Sequence, residues 1–185
     1  MKTIAVFCGS GTGNDAVYME EARNLGKAIA AQGWALVYGG ATVGCMGAVA
    51  DAVMEAGGKV IGVIPKKLSD IEIAHPRLSE LHVVDTMHER KAMMAAHADA
   101  FVTLPGGVGT LEEYFEVLTW AHIGYHNKPC ALLNVNEYYT PMISLIDHMM
   151  EQGFVKESTR KLMIVENEPI CLLERLKEGW IKANY

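Results

Sequence analysis

The chain is expected to fold as one α/β domain built on a Rossmann-like, doubly wound parallel sheet, and three features of the sequence lead there. Short apolar β-type runs alternate with helical patterns along the chain. The runs are continuous rather than alternating, as strands covered on both faces require. Glycine-rich turns follow several of these runs, where the next helix would begin. With 185 residues, half of them hydrophobic, the chain can build one sizeable core, and no linker, repeat or low-complexity tract divides it. Residues 1–185 therefore read as a single domain.

In chain order, strands are expected at Ile4 to Cys8, Ala35 to Tyr38, Val60 to Ile64, His82 to Val84, Ala100 to Leu104, Ala131 to Leu133 and, more faintly, Leu162 to Val165. Tyr18, Ala22, Leu25 and Ile29 mark the apolar stripe of a first helix. Met142, Leu145, Ile146 and Met149 mark that of a later one. Leu111, Phe115, Leu118 and His122 repeat at helical spacing after the fifth strand. The polar stretch Lys66 to Glu80, with Pro76 and mixed charges, reads as a mobile loop bordering the site.

Charge and cysteine content narrow the function. A formal net charge of -6 and the lack of any Lys/Arg-rich block argue against a sequence-independent grip on nucleic acid. Cys8, Cys45, Cys130 and Cys171 lie far apart with no C-x-x-C pair, so reduced thiols are expected rather than a zinc cluster or a disulfide framework. The start of the chain runs directly into the first strand, too short an apolar run for a signal or a membrane span. A cytoplasmic protein with no membrane partner is expected.

Pro105-Gly106-Gly107-Val108-Gly109-Thr110-Leu111-Glu112-Glu113 carries most of the chemistry. Glycines let backbone approach an anion, and the free N–H groups and dipole of the following helix favour negative charge there, so the turn suits a phosphate. Thr110 and Glu113 share a helix face, with the hydroxyl near the anion and the carboxylate about a turn further on. A carboxylate is misplaced for phosphate; it suits sugar hydroxyls or a carbon that turns cationic in a transition state. The plainer reading is ordinary helix-start chemistry, with Thr110 as a cap.

Three other loops share the carboxyl edge of such a sheet, where ligands gather. They are Gly9-Ser10-Gly11-Thr12-Gly13, Gly39-Gly40 through Gly47, and Met87-His88-Glu89-Arg90-Lys91. Gly9, Ser10, Gly39 and Gly40 are expected to wall the site. The first loop lacks the G-x-G-x-x-G order, and Tyr38-Gly39 ends the second strand where a dinucleotide site would want an acid, so NAD is disfavoured. No Gly-Lys-Ser/Thr follows a glycine loop, which removes a P-loop. A monophosphate fits best, and no cofactor is expected. His122 and His126 have metal-ligand spacing but no accompanying acid, so no metal is expected.

Together, Gly39-Gly40 to Gly47, Met87 to Lys91 and Pro105 to Glu113 resemble the LOG (Lonely Guy) family, whose signature is P-G-G-x-G-T-x-x-E, and the resemblance runs through most of the chain. It implies a Rossmann-like cytokinin riboside 5'-monophosphate phosphoribohydrolase, which frees an N6-substituted adenine and ribose 5-phosphate. It places substrate contacts on Arg90, Lys91, Gly107, Val108, Gly109, Thr110, Leu111, Glu112, Glu113 and Thr119, with Gly106 in the same turn and Arg90 and Glu113 as the catalytic pair. It also implies a homodimer with sites near the subunit boundary. Two positions depart from the family pattern: Ala41 follows Gly39-Gly40 where a third glycine is usual, and Lys67 stands where many plant members carry an acid. Arg90 has a plainer reading as a solvated surface residue, and His88 is a candidate acid for the leaving base. Related sequences carry a lysine decarboxylase label, yet no Schiff-base lysine for pyridoxal phosphate is evident. The competing function is a non-catalytic nucleotide or molybdenum-cofactor carrier on the same fold. The Arg90 and Glu113 pair separates the two, because a carrier needs donors for phosphate but has no evident need of a carboxylate beside the sugar.

Overall fold

In the computed structural model, which describes residues 1–69 and 74–182, seven parallel strands form one sheet. They are β1 Thr3–Phe7, β2 Ala35–Tyr38, β3 Val60–Pro65, β4 Glu80–Val84, β5 Ala100–Thr103, β6 Cys130–Leu133 and β7 Met163–Glu166. The helices between and after them are α1 Ala16–Ala31, α2 Gly44–Glu55, α3 Lys66–Ser69, α4 Met87–His97, α5 Val108–His122, α6 Thr140–Glu151, α7 Glu157–Arg160 and α8 Pro169–Lys182. The strand order is β4-β3-β2-β1-β5-β6-β7. The chain thus winds outward from β1 to β4, then returns to lay β5 beside β1, where Ile4 pairs with Ala100 and Phe7 with Thr103. That reversal opens a crevice at the carboxyl ends of β1 and β5.

Successive strand residues face opposite sides and build two cores. Ile4, Val6, Leu36 and Tyr38 pack under α1, α2 and α8, with Leu25, Ile29, Val49, Val53, Leu172 and Leu176. Ala5, Phe7, Val37 and Phe101 pack under α4, α5 and α6, with Met94, Tyr114, Val117 and Ile146. Local signals set the helix starts. The Asp15 side chain accepts the Val17 N–H at 3.0 Å, and Thr86 and Glu89 form a reciprocal capping box at α4.

Three expectations need correction. The buried face of α5 is Thr110, Tyr114, Val117 and Leu118; Leu111 and Phe115 are half-buried and His122 is exposed. The helix carries apolar residues on two faces, and its periodicity does not say which face meets the sheet. On α6 only Ile146 is buried, while Leu145 is 51% exposed. In the 66–80 stretch, Lys66–Ser69 is a helical turn, Ala74 forms an antiparallel bridge to Ala41, and His75 is buried; residues 70–73 of the expected loop lie outside the described residues.

Candidate active site

The crevice is assembled from backbone. The Leu104 N–H donates to the Phe7 carbonyl at 2.9 Å, the Gly9 N–H to Pro105 O at 3.1 Å and the Cys45 N–H to Gly11 O at 3.3 Å, which ties the first two glycine loops and the Gly106 turn together. Two tyrosines beyond β6 fix the turn from the side. Tyr139 Oη donates to Leu104 O at 2.6 Å, and Tyr138 Oη donates to Gly106 O at 2.7 Å. A Cβ on Gly106 would run into Thr110 Oγ1 and stand 2.7 Å from the Gly9 nitrogen, so a side chain there would push the loops apart. Gly107 is the N-cap of α5 and brings no side-chain cap. Thr110 lies inside the helix rather than at its cap, so the first-turn N–H groups remain available to an anion.

Arg90 is buried, 7% exposed, which overturns the surface-arginine reading. The capping box before it satisfies the α4 N-terminus without its help. Its guanidinium lies against Gly39, where a Cβ would collide with Nη2, and its Nη1 is 3.9 Å from Met87 Sδ. Nε has no hydrogen-bond partner, and among the described residues no carboxylate lies within ion-pair distance. A buried guanidinium nitrogen left without a hydrogen bond is costly, and a ligand oxygen is the kind of partner that would offset the cost.

Glu113, half-buried on α5, faces the same space. Burial pushes its carboxyl up from 4.5 to about 7; Arg90 opposes that rise, Glu112 adds to it, Lys91 opposes and Glu116 adds. Cys8, buried at the end of β1, is held as a thiol by burial, by Cys45 and by Glu113 against the pull of Arg90.

Two adjoining cavities result. One, of about 210 Å³, is lined by Cys8, Met46, Met87 and Arg90 on one side and Gly109, Thr110, Glu112 and Glu113 on the other. The second, of about 340 Å³, lies toward Gly11, Gly13, Tyr18, Cys45, Pro105, Gly106 and Tyr138. Gly9, Ser10 and Gly107 border both. The structure thus brings together Gly9, Ser10, Gly106, Gly107, Gly109, Thr110, Glu112, Glu113 and Arg90. Gly39 joins them by touching Arg90, whereas Gly40 packs behind, against β3.

Other expected site residues lie elsewhere. Lys91 points away, its Nζ 2.5 Å from Glu112 Oε1 and 3.0 Å from Glu116 Oε1. Val108 is 86% exposed at the helix start, and Leu111 is half-buried outside both cavities. Thr119 borders an apolar groove between α5 and α6. His88 is exposed and lines neither cavity. Sequence reasoning missed Cys8 as a wall, and placed Met46 and Met87 only within loops that meet at the site, without singling out their side chains. It also missed Tyr18 and Tyr138, whose only sequence signal is their place just beyond the carboxyl ends of β1 and β6.

A crevice at the strand-order reversal, with an uncapped helix N-terminus and an opposed arginine and carboxylate, marks the chain as a single-domain α/β protein whose site is suited to an anionic ligand. The sequence matches the family described as "Possible lysine decarboxylase" over residues 46–176. It is 54% identical over 165 residues, covering 89% of this chain and 83% of the relative, to the cytokinin riboside 5'-monophosphate phosphoribohydrolase of Rhodococcoides fascians. It is 45% identical over 177 residues, 96% of this chain and 83% of the relative, to LOG1 of Arabidopsis thaliana, which has the same name. The chain belongs to this LOG family. Among solved structures, the molybdenum cofactor binding protein of Rippkaea orientalis superposes with a TM-score of 0.72 at 23% identity, covering 96% of each chain. The molybdenum cofactor carrier protein of Chlamydomonas reinhardtii gives 0.71 at 21% identity, covering 97% of this chain and 98% of the other. Those likenesses establish the fold.

Proposed function

We propose that the chain, acting as one domain over residues 1–185, hydrolyses the N-glycosidic bond of adenosine 5'-monophosphates, plain or N6-substituted, to free base and ribose 5-phosphate. The observation that carries this reading is the pairing of a buried guanidinium, with no carboxylate in ion-pair reach among the described residues, with a half-buried carboxylate beside an uncapped helix N-terminus. The phosphate sits on the N–H groups of Gly107 to Thr110, and the ribose lies between Arg90 and Glu113. As the bond from the anomeric carbon to the base nitrogen breaks, positive charge grows at that carbon, and the Glu113 carboxylate stabilises it more than it stabilises the ground state. Water supplies the oxygen to the sugar and the proton to the base.

A decarboxylase reading would need a lysine at the site, and neither cavity is lined by one. Lys91, beside Arg90, is paired to Glu112 and Glu116, which keep it protonated against the opposing effect of its burial. A carrier reading shares the fold, but it gives Glu113 no task.

The test is to incubate the purified protein with AMP, N6-isopentenyl-AMP and adenosine and to quantify free base and ribose 5-phosphate. Both nucleotides are expected to react. Adenosine is expected to show kcat/KM at least ~100-fold lower, because two or more charge-assisted hydrogen bonds to phosphate are each worth about 1.5–3 kcal/mol. Comparable values for adenosine and AMP would remove the phosphate site.

A homodimer is part of the same reading. The groove between α5 and α6, about 410 Å³, is lined by Phe115, Leu118, Ile146, Met149, Val155 and Met163, and Leu145 and Phe154 stand exposed at its edge. Thr119 borders this groove, about 13 Å along the helix from Thr110. A second copy docked here is what would bring Thr119 near a substrate. Sedimentation at micromolar concentration is expected to show a dimer that Leu145→Glu dissociates; a wild-type monomer would sink this assignment.

A cytoplasmic location suits the free thiols Cys8, Cys45, Cys130 and Cys171, and cell fractionation checks it. Among the described residues no helix is long and apolar enough to cross a membrane. The net charge of -6 supports a small-molecule substrate rather than a nucleic-acid partner.

A further inference from the structure

His75 is 4% exposed, a polar ring enclosed where the 74–77 segment crosses the second glycine turn. Its Nδ1 accepts the Arg77 backbone N–H at 3.2 Å, which leaves the ring proton on Nε2, 3.1 Å from Asp51 Oδ1. Asp51 belongs to α2, and Arg77 Nη2 donates to the same oxygen at 3.1 Å. The backbone of the segment grips the turn directly. The His75 N–H donates to Gly40 O at 2.9 Å, and Ala74 bridges to Ala41. From the other side Tyr38 Oη donates to Ala41 O at 3.1 Å.

The clamped turn is also the wall behind the arginine. Gly39 touches the Arg90 guanidinium so closely that no Cβ fits between them, and Gly40, at φ +80, backs onto β3 with Ile64 Cβ only 3.2 Å from where its own Cβ would stand. Among the described residues Arg90 has no ion-pair partner and its Nε makes no hydrogen bond, and Nη1 has only the weak contact to Met87 Sδ at 3.9 Å, so packing more than bonding sets where its fork points. A long side chain held mainly by its walls is as well placed as those walls are fixed.

We propose that His75 is a positioning residue: clamped to Asp51, it fixes the Gly39–Gly40 turn and thereby holds the Arg90 guanidinium in register with the substrate. The proposal rests on the reading of Arg90 as a group that touches the reacting nucleotide. His75 itself touches no substrate and acts through the turn.

The experiment is a double-mutant cycle on base release from AMP, using His75→Ala, Arg90→Ala and the double variant, with His75→Gln as the conservative control. His75→Ala is expected to lower kcat about tenfold, the scale of a sub-ångström to one-ångström misplacement, with KM changed less than about twofold. His75→Gln, whose amide can still donate toward Asp51, is expected to recover most of that loss. In the Arg90→Ala background, His75→Ala is expected to change kcat less than about twofold, because the group it positions is gone. Asp51→Ala, a substitution on the partly exposed face of α2, breaks the same clamp if the His75 variant does not fold, and the same loss is expected from it. Equal losses from His75→Ala, or from Asp51→Ala, in both backgrounds would make the clamp merely structural and overturn the proposal. So would full activity of the clamp variants beside an inactive Arg90→Ala, an outcome that leaves the hydrolase reading standing. Full activity of Arg90→Ala would instead overturn the catalytic reading of Arg90 and the proposal with it.

Discussion

Glu113→Gln is expected to slow release of the base from AMP by at least ~100-fold while substrate still binds, the scale set by removing one preorganised transition-state contact. Gln keeps the size and most of the hydrogen bonding of the carboxylate, so the loss isolates its charge. Glu112→Gln is the internal control, because Glu112 is exposed, paired to Lys91 and about 100° around the helix. A larger loss from Glu112 than from Glu113 would mean that the wrong carboxylate has been chosen. If the ionised carboxylate is the active form, kcat/KM should fall on the acid side with a midpoint near the value of about 7 that burial gives Glu113 in the free protein. Lys91→Met removes a charge that holds that value down and should move the limb to higher pH. Glu112→Gln removes one that holds it up and should move the limb lower. A profile of kcat/KM against pH in the three proteins checks both signs.

The same shift costs the fold something. Glu113 holds its proton more tightly in the native state, about 7 against 4.5, so it is neutral in both states below 4.5 and destabilises progressively from there to 7. Above that the cost is about 3 kcal/mol. Glu113→Gln should therefore unfold several degrees above the wild type at about pH 8, with the gain fading toward about pH 5. Lost activity together with gained stability is what a carboxylate kept for chemistry predicts. A Gln variant whose stability gain does not depend on pH would contradict the raised value.

The sheet was largely legible because strands buried on both faces must be continuous and apolar. Ala35 to Tyr38 is β2 residue for residue, and Ala100 to Leu104 overshoots β5 by one. The edge strand β4 was read short, as His82 to Val84, because Glu80–Val84 alternates half-buried and exposed residues before Val84. The glycine turn was legible for a different reason: its properties are local, set by Gly106, Gly107 and the helix that follows. What required the fold is everything that depends on pairing at a distance. Lys91 is next to Arg90 in sequence yet is turned by about 100°, so one faces the crevice and the other faces Glu112 and Glu116. Composition made 66–80 look loose; nothing in it shows that His75 would find Asp51, 24 residues earlier. Tyr138 secures the Gly106 turn from 32 residues away, with no spacing to announce it.

Arg90→Ala is expected to cost at least ~100-fold in kcat, and Arg90→Lys to recover little of it, because a point charge on a flexible stem cannot reproduce a planar two-pronged contact with phosphate or ribose oxygens. Folding should survive both changes, since no carboxylate is left behind unpaired among the described residues. The two variants separate charge from shape. Arg90 is the foremost influence holding Glu113 down against burial, so Arg90→Ala should move the acid limb of the residual activity to higher pH. Arg90→Lys keeps a positive charge nearby and should hold the limb close to its wild-type position while the rate stays low. The measurement is kcat and kcat/KM against pH for the two variants beside the wild type, the limb being read from kcat/KM. A lysine variant with both limb and rate restored would show that Arg90 serves only as a charge. An alanine variant with the limb unmoved and the rate intact would show that its guanidinium contacts neither Glu113's field nor the substrate.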